Sequence, residues 1–164
     1  MEYKKYKFKI EEITDKKILE AYQAIKIYTK KIDNEILLLT LDGGGTFSLY
    51  LQDRFFNFNI DDETKRISSF DGEIKVSEIN IEKLRLPENI KQAVLTLNTT
   101  DELSQGAGSY VEFKTDHIAY DNEKKILQIG EINDENVTYK FFHNAYTQIQ
   151  NGELSGIMFT DLEM

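Results

Sequence analysis

The chain alternates hydrophobic and polar residues over short stretches, a pattern typical of β-strands with one face in water. Tyr6, Phe8 and Ile10 alternate with lysines, which predicts a first strand over residues 3–13. The same pattern, or a short aliphatic run, predicts further strands at 36–41, 47–51, 56–60, 74–76, 93–97, 110–120, 125–132 and 157–159.

Two segments instead show helical spacing. From Ile18 to Ile32 apolar residues recur at steps of four, three, three and four, after the capping candidates Thr14 and Asp15. We therefore predict an amphipathic helix that ends near Asp33. Ile27 lies off the apolar stripe of this helix, so its final turns could instead be extended. The second predicted helix contains Phe142, Ala145, Tyr146 and Ile149 and stops at Asn151 and Gly152.

Glycine, asparagine and proline divide these elements. Residues 42–45 (Asp-Gly-Gly-Gly) and the pair Asp71 and Gly72 predict turns, residues 121–124 a hairpin turn, and 104–109 a loop. The sum is one α+β domain over residues 1–164. We expect a largely antiparallel sheet of about 7 to 9 strands, with one N-terminal helix and one C-terminal helix.

Composition narrows the function classes. The 164 residues include no cysteine, which excludes disulfide scaffolds, thiol catalysis and cysteine-bound metal clusters. With 40% hydrophobic residues the chain is too apolar for a disordered acidic segment. The longest apolar run, 36–39, is far too short to span a bilayer, and the N-terminus does not resemble an export signal. We expect a cytoplasmic protein without membrane association.

The net charge of -9 is unevenly distributed. Residues 1–31 contain nine lysines and five acids, so the remaining 133 residues hold a large acidic excess. An acidic surface repels phosphate backbones and attracts basic proteins, which argues against nucleic acid and for a basic protein partner. The alternative is that the charge only keeps the domain soluble.

No motif supplies a catalytic or metal centre. Gly43 to Gly45 lack the Lys-Ser/Thr pair of a phosphate loop, and His117 and His143 have no carboxylate suitably spaced to orient them. A calcium loop starting at Asn57 would need Gly and Glu where Asp62 and Ser68 stand. We predict no enzyme, no cofactor and no metal.

Acidic residues do recur at predicted turns. If these turns share one edge of a sheet, their charges would form a patch that a basic partner binds. The alternative is that aspartate suits turns for local reasons. Asp101 and Glu102 are also acids at a predicted turn. The acids that we predict to bind a partner are Asp61, Asp62, Glu63, Asp121, Glu123, Asp134 and Glu135.

The stretch IAYDNEKKILQI (118–129), followed by YKFFHNAY (139–146), resembles the C-terminal part of immunity proteins from bacterial contact-dependent toxin systems. The resemblance implies a protein that binds and neutralises a cognate toxin domain, often a nuclease with a basic cleft. It transfers no binding residue. Two alternatives remain open: a small-molecule-binding β-barrel-like protein, and a hydrolase that uses two carboxylates.

Overall fold

The protein is built mostly of β-strands. The computed structural model describes residues 6–40, 47–51, 56–103, 108–111, 113 and 117–164. The first strands are β1 Phe8–Glu11, β2 Ile27–Ile32, β3 Glu35–Thr40, β4 Phe47–Leu51, β5 Phe56–Ile60, β6 Ile67–Lys75, β7 Asn80–Ile81 and β8 Ile90–Gln92. They are followed by β9 Val94–Leu97, β10 Gly108–Val111, β11 Ile118–Asp121, β12 Ile126–Gly130, β13 Thr138–Phe142, β14 Ala145–Gln150 and β15 Glu153–Phe159.

The described strands form three sheets. A six-stranded sheet has the order β10-β4-β5-β6-β3-β2, a seven-stranded sheet has the order β7-β11-β12-β15-β14-β13-β8, and β1 pairs with β9. Pairing is antiparallel except where β10, β7 and β8 join β4, β11 and β13. Each of these parallel strands lies at the edge of its sheet, because a parallel neighbour must arrive through a longer connection than a hairpin.

The two larger sheets pack face to face around a core rich in phenylalanine. The ring of Phe58 on β5 lies 6.2 Å from that of Phe141 on β13, and the ring of Phe70 on β6 lies 5.3 Å from that of Phe159 on β15. All four side chains are at most 1% exposed. Aromatic pairs at these separations add to the hydrophobic gain from burial, so these contacts hold the sheets together.

The short ribbon of β1 and β9 joins the two sheets. The backbone N–H groups of Phe8 and Ala93 donate to Gly152 and Lys140 of the seven-stranded sheet, at 2.8 and 3.1 Å. Leu97 donates to the carbonyl of Lys65, beside the start of β6, at 2.9 Å. The ribbon therefore uses backbone groups that would otherwise lack partners at the margin of the core.

A segment we call the strap, residues 82–89, crosses the outer surface of the seven-stranded sheet. It leaves β7 at one edge of that sheet and enters β8 at the opposite edge. Six strand spacings amount to about 29 Å, and the nine Cα steps from Ile81 to Ile90 reach about 30 Å when extended. The strap must therefore run nearly straight, which suits the extended backbone that Pro87, the chain's single proline, favours.

The α+β prediction is wrong, because the structure is mostly β with one short α-helix among the described residues. The predicted C-terminal helix is β13, β14 and the turn between them: Phe142 pairs with Ala145 across that turn. Residues 145–148 are all buried, since the core covers one face of β14 and the strap and a loop cover the other. A strand that is buried on both faces does not show the alternation of hydrophobic and polar residues that marks a half-exposed strand. The apolar residues of this segment happen to lie at helical spacing, which explains the wrong prediction.

The N-terminal helix is real but short. Helix α1 spans Lys16–Gln23, and Asp15 caps it as expected: its Oδ1 accepts from the N–H groups of Lys17 and Ile18 at 2.9 and 3.4 Å. From Ile27 the chain is strand β2, so the prediction of a helix up to Asp33 is wrong there.

Two turn predictions have different outcomes. Asp71 and Gly72 do not form a turn, because they lie inside β6. Gly72 is needed there for another reason: a Cβ at this position would lie 2.3 Å from Cδ1 of Phe56 on the neighbouring strand. The hairpin around residues 121–124 is confirmed as β11 and β12. The glycine loop at 42–45 lies outside the described residues.

In the described part of the chain, no helix has the length and apolar character needed to cross a bilayer.

Candidate functional site

The outer surfaces of the two large sheets differ in how they are covered. On the seven-stranded sheet, Leu84 and Leu86 of the strap pack on a second small cluster of buried residues, Ile126, Tyr146 and Met158. The strap is fixed through Leu84, whose N–H donates to Asp121 Oδ2 at 2.8 Å and whose carbonyl accepts from Lys124 Nζ at 3.1 Å. The apolar residues on this outer surface are therefore buried beneath the strap.

The loop of residues 131–137 lies over another part of that surface. It is held by Gln148, whose side chain is buried beneath it. The Gln148 amide accepts from the N–H of Asn133 at 2.9 Å and donates to the Asn133 carbonyl at 2.7 Å and to Thr138 Oγ1 at 2.9 Å. The Gln148 amide thus pairs with the backbone N–H and carbonyl of Asn133 in the way that a neighbouring strand would.

The outer surface of the six-stranded sheet, which we call the open face, remains exposed. Outward positions follow from the register, because Tyr50 pairs with Asn57, Asn57 with Asp71, and Tyr28 with Leu39. Of the six large apolar side chains exposed among the described residues, four lie on this face, at 36% to 46% exposure: Tyr28, Ile32, Leu39 and Tyr50. Exposed apolar residues that gather on one surface mark interaction sites, whereas single ones do not.

A hydrogen-bonded polar network occupies the middle of the open face. Its centre is Asn59 on β5, whose Nδ2 donates to Ser69 Oγ at 2.7 Å and to Asp71 Oδ2 at 3.2 Å. Asn59 Oδ1 accepts from Ser48 Oγ and from Asn57 Nδ2, both at 3.3 Å. These side chains fix one another on adjacent strands, so this part of the face is preorganised.

Two carboxyl groups meet on the same face. Glu35 lies on β3 and Glu73 on β6, one diagonal position apart in the register. A hydrogen bond that the protonated Glu73 carboxyl donates to Glu35 raises the pKa of Glu73, and partial desolvation and the Glu35 charge raise it further. Two carboxylates this close cannot both ionise freely.

Lysines surround this pair without removing its effect. Lys75 pairs with Glu35 in the register and lowers the pKa of Glu73, the weakest of the causes that act on that group. Lys30 lies opposite Leu37 on β2, and Lys26 Nζ lies 5.3 Å from the centre of the Tyr28 ring. The open face thus combines apolar, amide and charged groups of both signs.

The acidic turn at Asp61 is fixed by its own backbone. Asp61 Oδ1 accepts from the N–H groups of Thr64 and Glu63, at 2.8 and 2.9 Å. These bonds, that of Thr64 first, lower the pKa of Asp61. Asp61 therefore shapes the turn, as the local explanation of acidic turns expects. Glu63 is exposed, and Asp62 is half-buried.

Asp121 has the same role in the turn between β11 and β12. Its Oδ1 accepts from the N–H groups of Glu123 and Lys124, each at 3.0 Å, while its Oδ2 holds the strap. The pKa of Asp121 is lowered by these backbone bonds, with that of Leu84 first. The side chain is 4% exposed, so a partner would reach Glu123 and not Asp121.

Asp134 and Glu135 lie on the rim of a polar cleft of about 680 Å³ beside the 131–137 loop. Asp134 Oδ2 pairs with Arg85 Nη2 of the strap at 2.8 Å, and this bond raises the pKa of Arg85. Glu135 is exposed. Apart from Ile132, the cleft is lined by polar side chains such as Asn136, Gln150 and Ser155, and it is open to solvent.

The structure does not bring these acidic turns onto one edge. Asp121 precedes β12 and Asp134 follows it, so the two turns lie at opposite ends of a strand about 17 Å long. The Asp61 turn belongs to the other sheet. The acids form several separate negative points, and the carboxylates of Asp61, Asp121 and Asp134 are bound within the chain.

Within the described part of the chain, neither histidine forms a recognisable catalytic arrangement. His117 Nε2 lies 3.2 Å from Glu82 Oε2 at the β7 edge, with both side chains partly exposed. His143 is exposed in the turn between β13 and β14. Among the described residues no group of three His, Asp or Glu could hold a metal ion. Asn57 and Asn59, considered as calcium ligands, belong to the polar network of the open face.

The two alternative functions gain little support. The two large sheets have open strand orders in the described part of the chain, and phenylalanine rings fill the space between them, whereas a ligand-binding barrel needs a closed sheet around a cavity. A carboxylate hydrolase needs two acids that converge in a cleft. Glu35 and Glu73 converge, but on an exposed sheet surface.

Sequence reasoning missed the open face. One signal was present, since the alternating residues of β4 and β5 leave Tyr50, Asn57 and Asn59 on one side. A second signal was hidden: the aliphatic run of β3 looks like a fully buried strand, although Leu39 is exposed. The sequence also placed Tyr28 and Ile32 on a helix, so their position beside β3 could not be seen.

The chain matches no protein-family model and no curated protein. The function is therefore inferred from the geometry and the charges of the described residues.

Proposed function

We propose that this chain is an immunity-type inhibitor that binds and neutralises a basic protein partner, in the manner of bacterial toxin-immunity proteins. The observation that carries the proposal is the open face, where Tyr28, Ile32 and Leu39 are exposed on the adjacent strands β2 and β3, and Tyr50 is exposed on β4 beyond the polar network. Tyrosine is enriched in protein interfaces because it offers a large apolar surface with a polar tip.

The net charge supports a basic partner. At -9 the chain attracts positive surfaces, and such attraction accelerates association. Glu63, Glu123 and Glu135 are exposed acids on separate turns, available for this long-range role. Asp61 and Asp121 also carry charge, but they are less suited to direct contact with a partner, because their carboxylates already accept backbone hydrogen bonds. The exposed turns would attract the partner, and the open face would make the contact.

The test begins with the gene directly upstream, which should encode a large secreted protein with a variable C-terminal toxin domain. Co-expression of this chain with that domain in a bacterial host should restore growth. The purified proteins should form a complex that binds more weakly in 0.5 M than in 0.05 M salt, since added ions screen the attraction. A neighbour without a toxin domain, or a toxin domain that the chain neither binds nor inhibits, would contradict the proposal.

A triple variant, Glu63→Lys, Glu123→Lys and Glu135→Lys, tests the electrostatic part. Association should slow while dissociation changes little, because these side chains act at a distance. Asp61→Asn is the matched control: it removes one charge but keeps the Oδ1 acceptor of the turn. An equal slowing by the control would assign the effect to the turn itself.

A further inference from the structure

We infer that the outer edge of β2 binds an extended segment of a partner protein, which adds to the six-stranded sheet as a further strand and places acidic side chains beside Lys30 and Lys31. The inference goes beyond the proposed function, because it concerns the edge of the sheet and applies to any partner that offers such a segment. The backbone of β2 would supply the attraction, and its side chains would select the sequence.

The first observation is a row of backbone groups that point away from the sheet. Asn144 accepts from the N–H of Ile27 at 2.8 Å and donates to its carbonyl at 3.0 Å, so the backbone of Ile27 faces away from β3. Because this direction alternates along an antiparallel strand, the N–H and C=O groups of Thr29 and Lys31 also face outward. Among the described residues, none bonds to these four groups. Such a row is a template for an added strand.

The second observation is that β2 is a long and regular edge strand. The described edge strands β7, β8 and β10 have two, three and four residues, whereas β2 has six, with no proline and no shift in register. Its side chains Tyr28 and Ile32 are 40% and 46% exposed on the open face, because a neighbouring strand lies on one side of them only. An added strand would cover both side chains with its own residues.

The third observation is the charge of β2, which decides the kind of segment that fits. The strand carries Lys30 and Lys31, one on each face, and no acid. An antiparallel copy of β2 centred on either lysine would set like charges opposite each other, which is unfavourable. Lysines on an edge strand therefore oppose pairing between copies of the chain, whereas a segment with acids opposite them would be stabilised.

The neighbouring acids leave this edge accessible. Glu163 lies on the inner side of β2, where its carbonyl accepts from the Thr29 hydroxyl, and its carboxylate pairs with Lys125 at 3.5 Å. Asp33 lies in the turn that follows β2, and Glu35 lies one strand further in, on β3. An added strand would therefore meet the lysines of β2 directly.

The first experiment needs no partner. Amide hydrogen exchange of the full chain should be fast at Thr29 and Lys31 and slow at Lys30, whose N–H faces β3. Equal protection of all three amides would show that the edge is already occupied, and it would overturn the inference.

The second experiment uses a synthetic peptide, acetyl-Thr-Val-Glu-Glu-Thr-Val-Thr-amide. When it runs antiparallel to β2, its acids lie opposite Lys31 and Lys30 and its valines opposite Ile32 and Tyr28. Titration into the ¹⁵N-labelled chain should shift and protect the amides of Thr29 and Lys31. The same peptide with N-methylated central residues loses its donors and should bind about tenfold or more weakly. A version with lysine in place of both acids should bind about threefold or more weakly in 0.05 M salt.

Two substitutions at one position separate strand addition from charge. Lys31→Pro removes the outward N–H and adds a ring that obstructs a further strand, while the bonds from Tyr28, Lys30 and Ile32 to β3 remain. It should reduce the peptide affinity about tenfold or more, whereas the matched control Lys31→Ala, which removes the same charge, should reduce it by about threefold or less. Circular dichroism and slow exchange at Lys30 check the fold.

The possible results decide between strand addition and its alternatives. Equal loss in both variants would assign binding to charge alone, and unchanged binding of the N-methylated peptide would exclude strand addition; either result overturns the inference. If Lys31→Pro does not fold, the N-methylated peptide decides. A dimer of the wild type that Lys31→Pro dissociates would also overturn the inference, since a second copy would then occupy the edge. None of these measurements uses a toxin domain, so this inference and the inhibitor function can fail separately.

Discussion

The Oδ2 atom of Asp121 accepts a hydrogen bond from the backbone N–H of Leu84 at 2.8 Å, which ties a β-turn to a strap 37 residues earlier in the chain. The other carboxylate oxygen holds the turn itself. A residue that the sequence marks as a surface acid therefore connects two distant segments. This bond helps to hold the strap on the outer surface of the seven-stranded sheet, together with the packing of Leu84 and Leu86.

The strap bond can be tested by a pair of matched substitutions. In Asp121→Asn the amide keeps the oxygen that the turn needs but presents an NH₂ group to the N–H of Leu84, so the strap bond is lost. Asp61→Asn keeps its bonds, because Asp61 uses a single oxygen. We expect a lower urea midpoint and faster hydrogen exchange at Leu84 for Asp121→Asn only. Equal midpoints and unchanged exchange would show that the bond does not hold the strap.

A buried amide joins the β13–β14 turn to β2. Asn144 is fully buried, accepts from the N–H of Ile27 at 2.8 Å, and donates to the carbonyls of Ile27 and Thr160 at 3.0 and 2.8 Å. Asn144→Ala would leave these backbone groups without partners and should lower the free energy of unfolding by about 3 kcal/mol. The neighbouring exposed residue gives the control: His143→Ala should change it by less than about 0.5 kcal/mol. Chemical denaturation of both variants decides the matter, and similar values would contradict the assigned role.

The contact of Phe56 with Gly72 predicts a coupled pair. A methyl group at position 72 would lie 2.3 Å from the Phe56 ring, so Gly72→Ala should destabilise the protein by about 1–3 kcal/mol. If the ring is the obstacle, Phe56→Leu should make the same change at Gly72 less harmful. A double-mutant cycle measures this coupling. Additive effects of the two substitutions would place the obstacle elsewhere.

Acid should weaken the contact of Glu11 with Arg66. Arg66 donates to both Glu11 oxygens, at 2.8 and 3.1 Å, and Thr96 donates at 2.9 Å; the arginine bond is the first cause of a lowered Glu11 pKa. A lowered pKa means that this stabilisation is present above the unfolded value near 4.5 and is lost as pH falls through the folded value. The free energy of unfolding of the wild type should exceed that of Glu11→Gln by about 1–2 kcal/mol at pH 7 and by less at pH 3. A difference that does not change with pH would contradict this.

Glu73 should show the opposite sign. Its pKa is raised, because protonated Glu73 donates a hydrogen bond to the Glu35 carboxylate, so the folded state favours the protonated form. The stabilisation is present below the unfolded value and is lost as pH rises through the folded one. In thermal melting from pH 4 to pH 7, the melting temperature of Glu73→Gln should therefore rise relative to that of the wild type as the pH increases. Glu63→Gln, which removes an exposed turn acid, serves as the control and should show no such gain.

Local chemistry determined much of the structure from the sequence alone. Asp15 caps α1, Asp61 and Asp121 shape their turns through N–H groups two and three residues ahead, and β4 and β5 show the alternation of strands with one polar face. These features depend on neighbours within a few residues, so the sequence records them directly. The acidic net charge is likewise a property of the composition.

The tertiary structure decided which strands are buried on both faces and which surface stays open. Apolar residues between 142 and 149 show a helical spacing, yet the core on one side and the strap and the 131–137 loop on the other make this segment a turn and strand β14. Asp121 reads as a surface charge, yet Leu84 arrives from far away to bind it. The open face exists only where β2 and β3 place Tyr28 beside Leu39. Contacts between distant segments determine these features, and no pattern of nearest neighbours in the chain can encode them.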